Sequence, residues 1–241
     1  GLAEALVQFL RSEMPQAHSI VTYCGGVPRH PKPPAWHEMN FATETAFSNR
    51  ESISRVEGET VRRPRFDSCE EIQFSGFGRV EVYDDAILPE TLSEGSLSTV
   101  TTLHQKSVRW PGFVEFAQSE LSLAKKELTV IPQENSKDLV ILAAQAQDAV
   151  TTRRAQVVVN AQPHISAMSF TTALGVIAAL RSGIGGSGEV GCVFPADADQ
   201  AQVFTEFTQL ANRLDPQREC ISIHWSDGQD AENSIEQEMA V

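Results

Sequence analysis

Apolar positions along the chain change period several times, and each change marks an element. Leu2, Leu6, Phe9 and Leu10 recur at i, i+4, i+7 and i+8, which predicts an opening amphipathic helix. Residues 19–23 read as a strand ending at Gly25-Gly26, a pair free to take positive φ and turn the chain sharply. Pro28, Pro31, Pro33 and Pro34 mark an irregular extended loop. Short strand-like runs follow at 53–56, 60–63, 72–74 and 80–83, with Glu57-Gly58 as the turn between the first two. A longer strand is expected over 100–110. Pro111-Gly112 stops it and opens a helix with Phe113, Phe116, Ala117 and Leu121 on one face.

The second half is more regular. Residues 139–146 and 155–161 are the clearest strands. In the later one Ala155, Val157, Val159 and Ala161 alternate with Gln156 and Asn160, and the short gap between the two predicts an antiparallel hairpin. Ser166 suits the cap of a helix running to about Arg181. Ala167, Phe170, Leu174, Ile177 and Ala178 form its stripe. Met168, Val176 and Leu180 widen that stripe, which predicts a well-buried helix. A glycine-rich loop, 183–188, leads to a strand near 190–194. Asp199 and Gln202 have capping-box spacing before a helix carrying Phe204, Phe207, Ala211 and Leu214 on one face, and 221–225 is a last strand.

Antiparallel strands with helices inserted, rather than strict β-α-β alternation, predict an α+β fold: a mostly antiparallel sheet with helices packed on one face. The expected organisation is one domain over 1–225 and a solvated tail over 226–241. That tail holds Asp227, Asp230, Glu232, Glu236 and Glu238 and no Lys or Arg. There is no repeat of 20–50 residues.

Composition narrows the function classes. With 41 % hydrophobic and 21 % charged residues the chain is ordinary for a globular protein, and no window approaches the ~20 apolar residues of a membrane span. No signal-peptide pattern opens it, so the expected location is cytoplasmic. Gly1 stands where Met would begin a chain, as in a processed or excised piece or one with residual tag sequence. The net charge of −13 repels phosphate backbones and argues against nucleic acid. Cys24, Cys69, Cys192 and Cys220 include no C-x-x-C pair, and none of the six histidines pairs with another at helical metal-ligand spacing.

Candidate chemistry is sparse. Residues 183–188 spell G-x-G-x-x-G, but a helix precedes them and a strand follows, the reverse of a dinucleotide site. His30 and His37 flank the proline loop and could line a cleft, although an exposed loop histidine is the commoner case. Tyr83-Asp84-Asp85 leaves a strand. Paired carboxylates there suit an amine or a cation, and equally the capping of a turn. Arg109 stands beside Trp110, and a guanidinium held by an aromatic suits bidentate carboxylate binding, as it would a structural salt bridge.

Three stretches together resemble the C-terminal, substrate-side domain of the saccharopine dehydrogenase family. Tyr23-Cys24-Gly25-Gly26-Val27-Pro28 is similar to the tyrosine-cysteine-glycine-glycine-leucine-proline strand end of that family. Ser107-Val108-Arg109-Trp110-Pro111-Gly112 is similar to its threonine-leucine-arginine-tyrosine strand end with the glycine after it. Met168, Thr171, Thr172 and Ala173, followed by Gly191-Cys192-Val193-Phe194-Pro195, resemble its late helix and strand. Asn40-Phe41-Ala42-Thr43-Glu44 falls at the family's aromatic-serine-tryptophan-serine segment but lacks the tryptophan. An asparagine-arginine pair of close relatives has no counterpart near Tyr83. Both departures fall on substrate contacts and argue against saccharopine itself as the ligand.

The resemblance implies the substrate-binding and dimerisation part of an oxidoreductase of amino acid, including lysine, metabolism, acting on a carbon–nitrogen bond of an amino acid derivative. Its substrate contacts would be Asn40, Phe41, Thr43, Tyr83, Asp85 and Arg109. No cofactor would bind this chain. NAD or NADP would sit on a Rossmann domain in the parent chain or a separate subunit, and the chain would form a homodimer. The alternative is a non-catalytic binding or assembly protein that keeps the fold without NAD(P) chemistry.

Overall fold

A computed structural model of the chain describes residues 2–33, 36–37, 51–74, 76–85, 97–119, 137–184, 199–215 and 221–227. The strands are β1 (Ser19–Pro28), β2 (Glu51–Val56), β3 (Glu59–Pro64), β4 (Glu70–Phe74), β5 (Gly78–Asp84), β6 (Thr102–Arg109), β7 (Asp138–Gln147), β8 (Thr152–Asn160) and β9 (Ile221–Asp227). The helices are α1 (Leu2–Glu13), α2 (Phe113–Ser119), α3 (Ala167–Ile184) and α4 (Gln200–Leu214). The strands form one sheet in the order β3-β2-β6-β1-β7-β8-β9. β5 also pairs with β6 and carries β4 on its outer side. Every pairing is antiparallel except β1 with β6, so the sheet is mostly antiparallel, as the element order predicted.

Residue alternation assigns the two faces. Ile20, Leu142, Ala144, Val157 and Ile221 point to the face covered by α1, α3 and α4, which contribute Leu6, Leu10, Leu174, Phe204 and Phe207. Phe9, Phe204 and Trp225 pack ring against ring at the edge of this core, with centroids 5.2–6.3 Å apart. On the opposite face Tyr23, Val27, Leu139, Ile141 and Ala143 are covered by the β4–β5 hairpin through Phe74, Val80 and Val82. Arg154 lies under that hairpin, its guanidinium carbon 4.6 Å from the Phe74 ring centre. The chain's own hairpin thus buries the second face of β7.

Local chemistry ends the elements where the sequence placed most of them. The β2–β3 turn takes left-handed backbone at Glu57 (φ 52) and Gly58 (φ 87), the geometry of a tight hairpin. In the β7–β8 turn Asp148 accepts from the amides of Val150 and Thr151. The start of α3 is held by Ser166, which accepts from the Ser169 amide, and by Asp138, whose two oxygens take the amides of Ala167 and Met168. Asp199 caps α4 by accepting from the Gln202 amide at 3.1 Å.

Four expectations are corrected. β1 does not end at Gly25-Gly26 but runs through both to Pro28, with neither glycine at positive φ. The pair is required by packing: a Cβ on Gly25 would lie 2.6 Å from the Val108 carbonyl oxygen. The helix α3 is buried on one side only, for Val176, Ile177 and Leu180 are exposed. Leu214 is 59 % exposed and leaves the α4 stripe of Phe204, Phe207 and Ala211. Ser226 and Asp227, assigned to the tail, belong to β9. The strand expected at 190–194, the loop from 185 and the tail from 228 lie outside the described residues. Among the described residues no helix is long and apolar enough to cross a membrane.

Candidate functional site

The parallel pair β1/β6 brings two of the singled-out motifs side by side. Cys24 is registered against Ser107, and the carboxyl ends of both strands lie together. On the other side of β6, Tyr83 of β5 faces Ser107 and Glu81 faces Arg109. By alternation Cys24, Ser107, Arg109 and Tyr83 share the helix-bearing face, where α2 packs Phe113 and Ala117 in one cluster with Tyr83 and sets the Phe113 ring under Arg109. Three of the six expected site residues, Tyr83, Asp85 and Arg109, are thus gathered in one place. Asn40, Phe41 and Thr43 lie outside the described residues.

A buried network frames the place. The Arg65 guanidinium, only 2 % exposed, pairs with the Asp85 carboxylate and lies over the rings of Phe66 and Tyr83, 5.3 and 5.6 Å from their centres. Ser107 donates its hydroxyl to the other Asp85 oxygen. Asp85 therefore already holds a cation, Arg65. Asp84 points elsewhere: its Oδ1 is 3.0 Å from His104 Nδ1, and its amide donates to Ser68. The two carboxylates do not form a joint cation site. Tyr83 is fully buried. Desolvation pushes its phenol up, with Arg109 acting against that shift and Asp85 adding to it. Burial also raises the Cys24 thiol, and Arg109 opposes it.

Arg109 has different company. Directly across the strand pair, Glu81 would be its natural counter-ion, but the Glu81 carboxylate is spent on the start of α2. One oxygen takes the Gly112 amide at 2.6 Å and the other the Val114 amide at 3.0 Å. The Arg109 guanidinium lies 5.4 Å from the centre of the Phe113 ring, with Nη1 donating to the Val108 carbonyl at 2.7 Å. Its Nε is buried without a hydrogen-bond partner. The aromatic expected to hold it, Trp110, instead donates its indole N–H to the Pro28 carbonyl at 2.7 Å. Phe113 takes that role because the turn at Pro111-Gly112 folds α2 back over the strand end.

His37 is the residue the sequence undervalued. It is half-buried, its ring makes a T-shaped pair with Phe113 with centroids 5.5 Å apart, and its Nδ1 is buried without a partner. Burial first and the charge of Arg109 second push it down to about 3, so the imidazole is neutral at pH 7. Its neighbour Trp36 has left-handed backbone (φ 52) and lies against Gly112, where a Cβ would come within 2.5 Å of the indole nitrogen. Arg65 and Ser107 were also missed. Arg65 follows a string of exposed strand arginines, and nothing in its spacing separates it from them. Among the described residues no group of His, Cys, Asp or Glu could hold a metal ion.

No protein-family model matches the chain. Its architecture is similar to that of a solved apo, histidine-tagged saccharopine dehydrogenase (L-Glu forming) from Saccharomyces cerevisiae. The TM-score is 0.73 over 93 % of this chain and 71 % of that one, at 10 % sequence identity. At that identity the likeness speaks for the fold alone: the chain has the mostly antiparallel α+β architecture of that structure.

Proposed function

We propose that the chain forms the substrate-side part of a saccharopine-dehydrogenase-like oxidoreductase that acts on a carbon–nitrogen bond of an amino acid derivative. In this reading Arg109 clamps a substrate carboxylate. The observation that carries it is the state of Arg109: a guanidinium stacked on Phe113, its cross-strand acid diverted to α2, and a buried Nε–H with no acceptor. A buried donor without an acceptor is costly, and an anionic planar ligand removes that cost.

NAD or NADP would be held outside this chain, on a Rossmann domain of the parent chain or of another subunit. The occupied starts of three described helices support this reading. The N-terminal amides of α2, α3 and α4, where a pyrophosphate would bind, already donate to the carboxylates of Glu81, Asp138 and Asp199. Gly183 sits in the last turn of α3, at the end of the helix dipole that repels phosphate. The same reading includes a homodimer, for which we propose the exposed stripe of α3 as the contact.

One observation favours the non-catalytic alternative. Tyr83, Arg65 and Asp85 are bound to one another in the interior, so part of the expected substrate wall serves the fold. The test is Arg109→Lys, which keeps the charge and loses the planar fork. Binding of L-glutamate and glutarate should weaken by about 1–3 kcal/mol, the scale of a charge-assisted hydrogen bond. The melting temperature should change little. A large drop in melting temperature with unchanged binding would make Arg109 a structural residue and remove the carboxylate site.

A further inference from the structure

We infer that His37 is the second ligand contact of the Arg109 site. A ligand carboxylate accepts from Arg109 Nε–H with one oxygen and from His37 Nδ1–H with the other. This deepens the reading of Arg109 given above and rests on it. Both side chains lean on the same ring: the guanidinium lies over Phe113 and the imidazole packs against it in a T-shaped pair. Each presents one buried polar atom that has no hydrogen-bond partner. Interiors rarely leave such atoms unmet, and two of them on side chains packed against one aromatic ring describe one absent acceptor more economically than two separate defects.

The chemistry selects a carboxylate. A planar carboxylate has two oxygens, each able to take one donor. A phosphate dianion would bring more acceptor positions and more charge beside the carboxylates of Glu81 and Asp85, which stand on the strand flanking Arg109 and just beyond its end. The imidazole suits the role in its neutral form. It then donates one N–H without adding a second positive charge next to Arg109, and burial together with Arg109 keeps it in that form. Its placement is built rather than incidental. Trp36 holds a left-handed backbone against the notch at Gly112, which fixes the residue that follows it. His37 also keeps part of its surface in solvent, which gives a ligand a side to approach from.

The experiment uses the chain with glutarate and L-glutamate as probes, read by calorimetry and by the imidazole nitrogen resonances of His37. The expected result is saturable binding that shifts the His37 resonances. His37→Phe, which keeps a ring on Phe113 and removes the nitrogen, should weaken binding by about tenfold. His37→Gln, which restores a donor, should recover part of that loss. Circular dichroism confirms that both variants are folded. Binding that depends on Arg109 but is unchanged in His37→Phe, with silent His37 resonances, overturns this inference and leaves the Arg109 clamp standing. Absence of any Arg109-dependent binding of either probe overturns both.

Discussion

At the scale of single residues, the site is a contest between partners inside the chain and partners outside it. Asp85 was read as a holder of amines, yet it is satisfied by Arg65 and Ser107. Arg109 was read as a clamp, and it is the cation whose natural acid has been taken by a helix start. None of this is legible in sequence, because a one-dimensional pattern shows which groups are charged but not which charges have been spent. His37 was hidden for the same reason, since a loop histidine between prolines looks solvated until Phe113 is folded against it. Its neutrality has a measurable consequence. The folded state holds His37 at about 3, whereas an unfolded histidine titrates near 6.5. Below pH ~6.5 the unfolded chain therefore binds the extra proton, and stability falls as pH drops from there toward about 3. His37→Phe should flatten the dependence of melting temperature on pH between about 6.5 and 5, above the main carboxylate range. An identical slope in the variant would mean that the folded imidazole titrates normally.

At the scale of elements, periodicity located nearly every strand and helix because each is amphipathic or bounded by turn residues. The β2–β3 and β7–β8 hairpins were legible from Glu57-Gly58 and from the alternation at 155–161. Two elements were misjudged on instructive grounds. The apolar residues of α3 encircle more of the helix than its neighbours cover, so a wide stripe did not mean full burial. Gly25-Gly26 looked like a strand terminus because glycine is permissive. Its actual purpose is to let β1 approach β6, a contact between segments some eighty residues apart in the chain. Gly25→Ala would put a methyl 2.6 Å from the Val108 carbonyl, and neither atom belongs to a flexible side chain. The variant should lose about 1–3 kcal/mol of stability, the usual cost of overpacking. Gly26→Ala should be milder, because the group it meets is the mobile end of Met168. Denaturant melts of the two variants compare them directly, and equal losses would mean that the β1/β6 approach is not what the first glycine protects.

At the scale of the whole molecule, the fold class was legible and the topology was not. The β2–β3, β4–β5 and β7–β8 hairpins follow the chain, whereas the β1/β6, β1/β7 and β2/β6 pairings and the docking of the β4–β5 hairpin on the second sheet face are long-range choices with no local signature. That closure moves the question of assembly from the sheet to α3. Val176, Ile177 and Leu180 are 56 %, 44 % and 59 % exposed, and α3 carries no charge before Arg181. Two chains of net charge −13 repel over most of their surfaces. An uncharged apolar stripe is where that repulsion is weakest and where covering apolar surface gains most. A second copy, with its own α3 against this one across a two-fold axis, satisfies both conditions with a single self-complementary patch. Light scattering at tens of micromolar should then give the mass of two chains, and Val176→Asp with Leu180→Asp should give the mass of one while leaving the circular dichroism unchanged. A wild-type mass of one chain would remove the dimer, and a dimer untouched by the paired substitution would move its contact off α3.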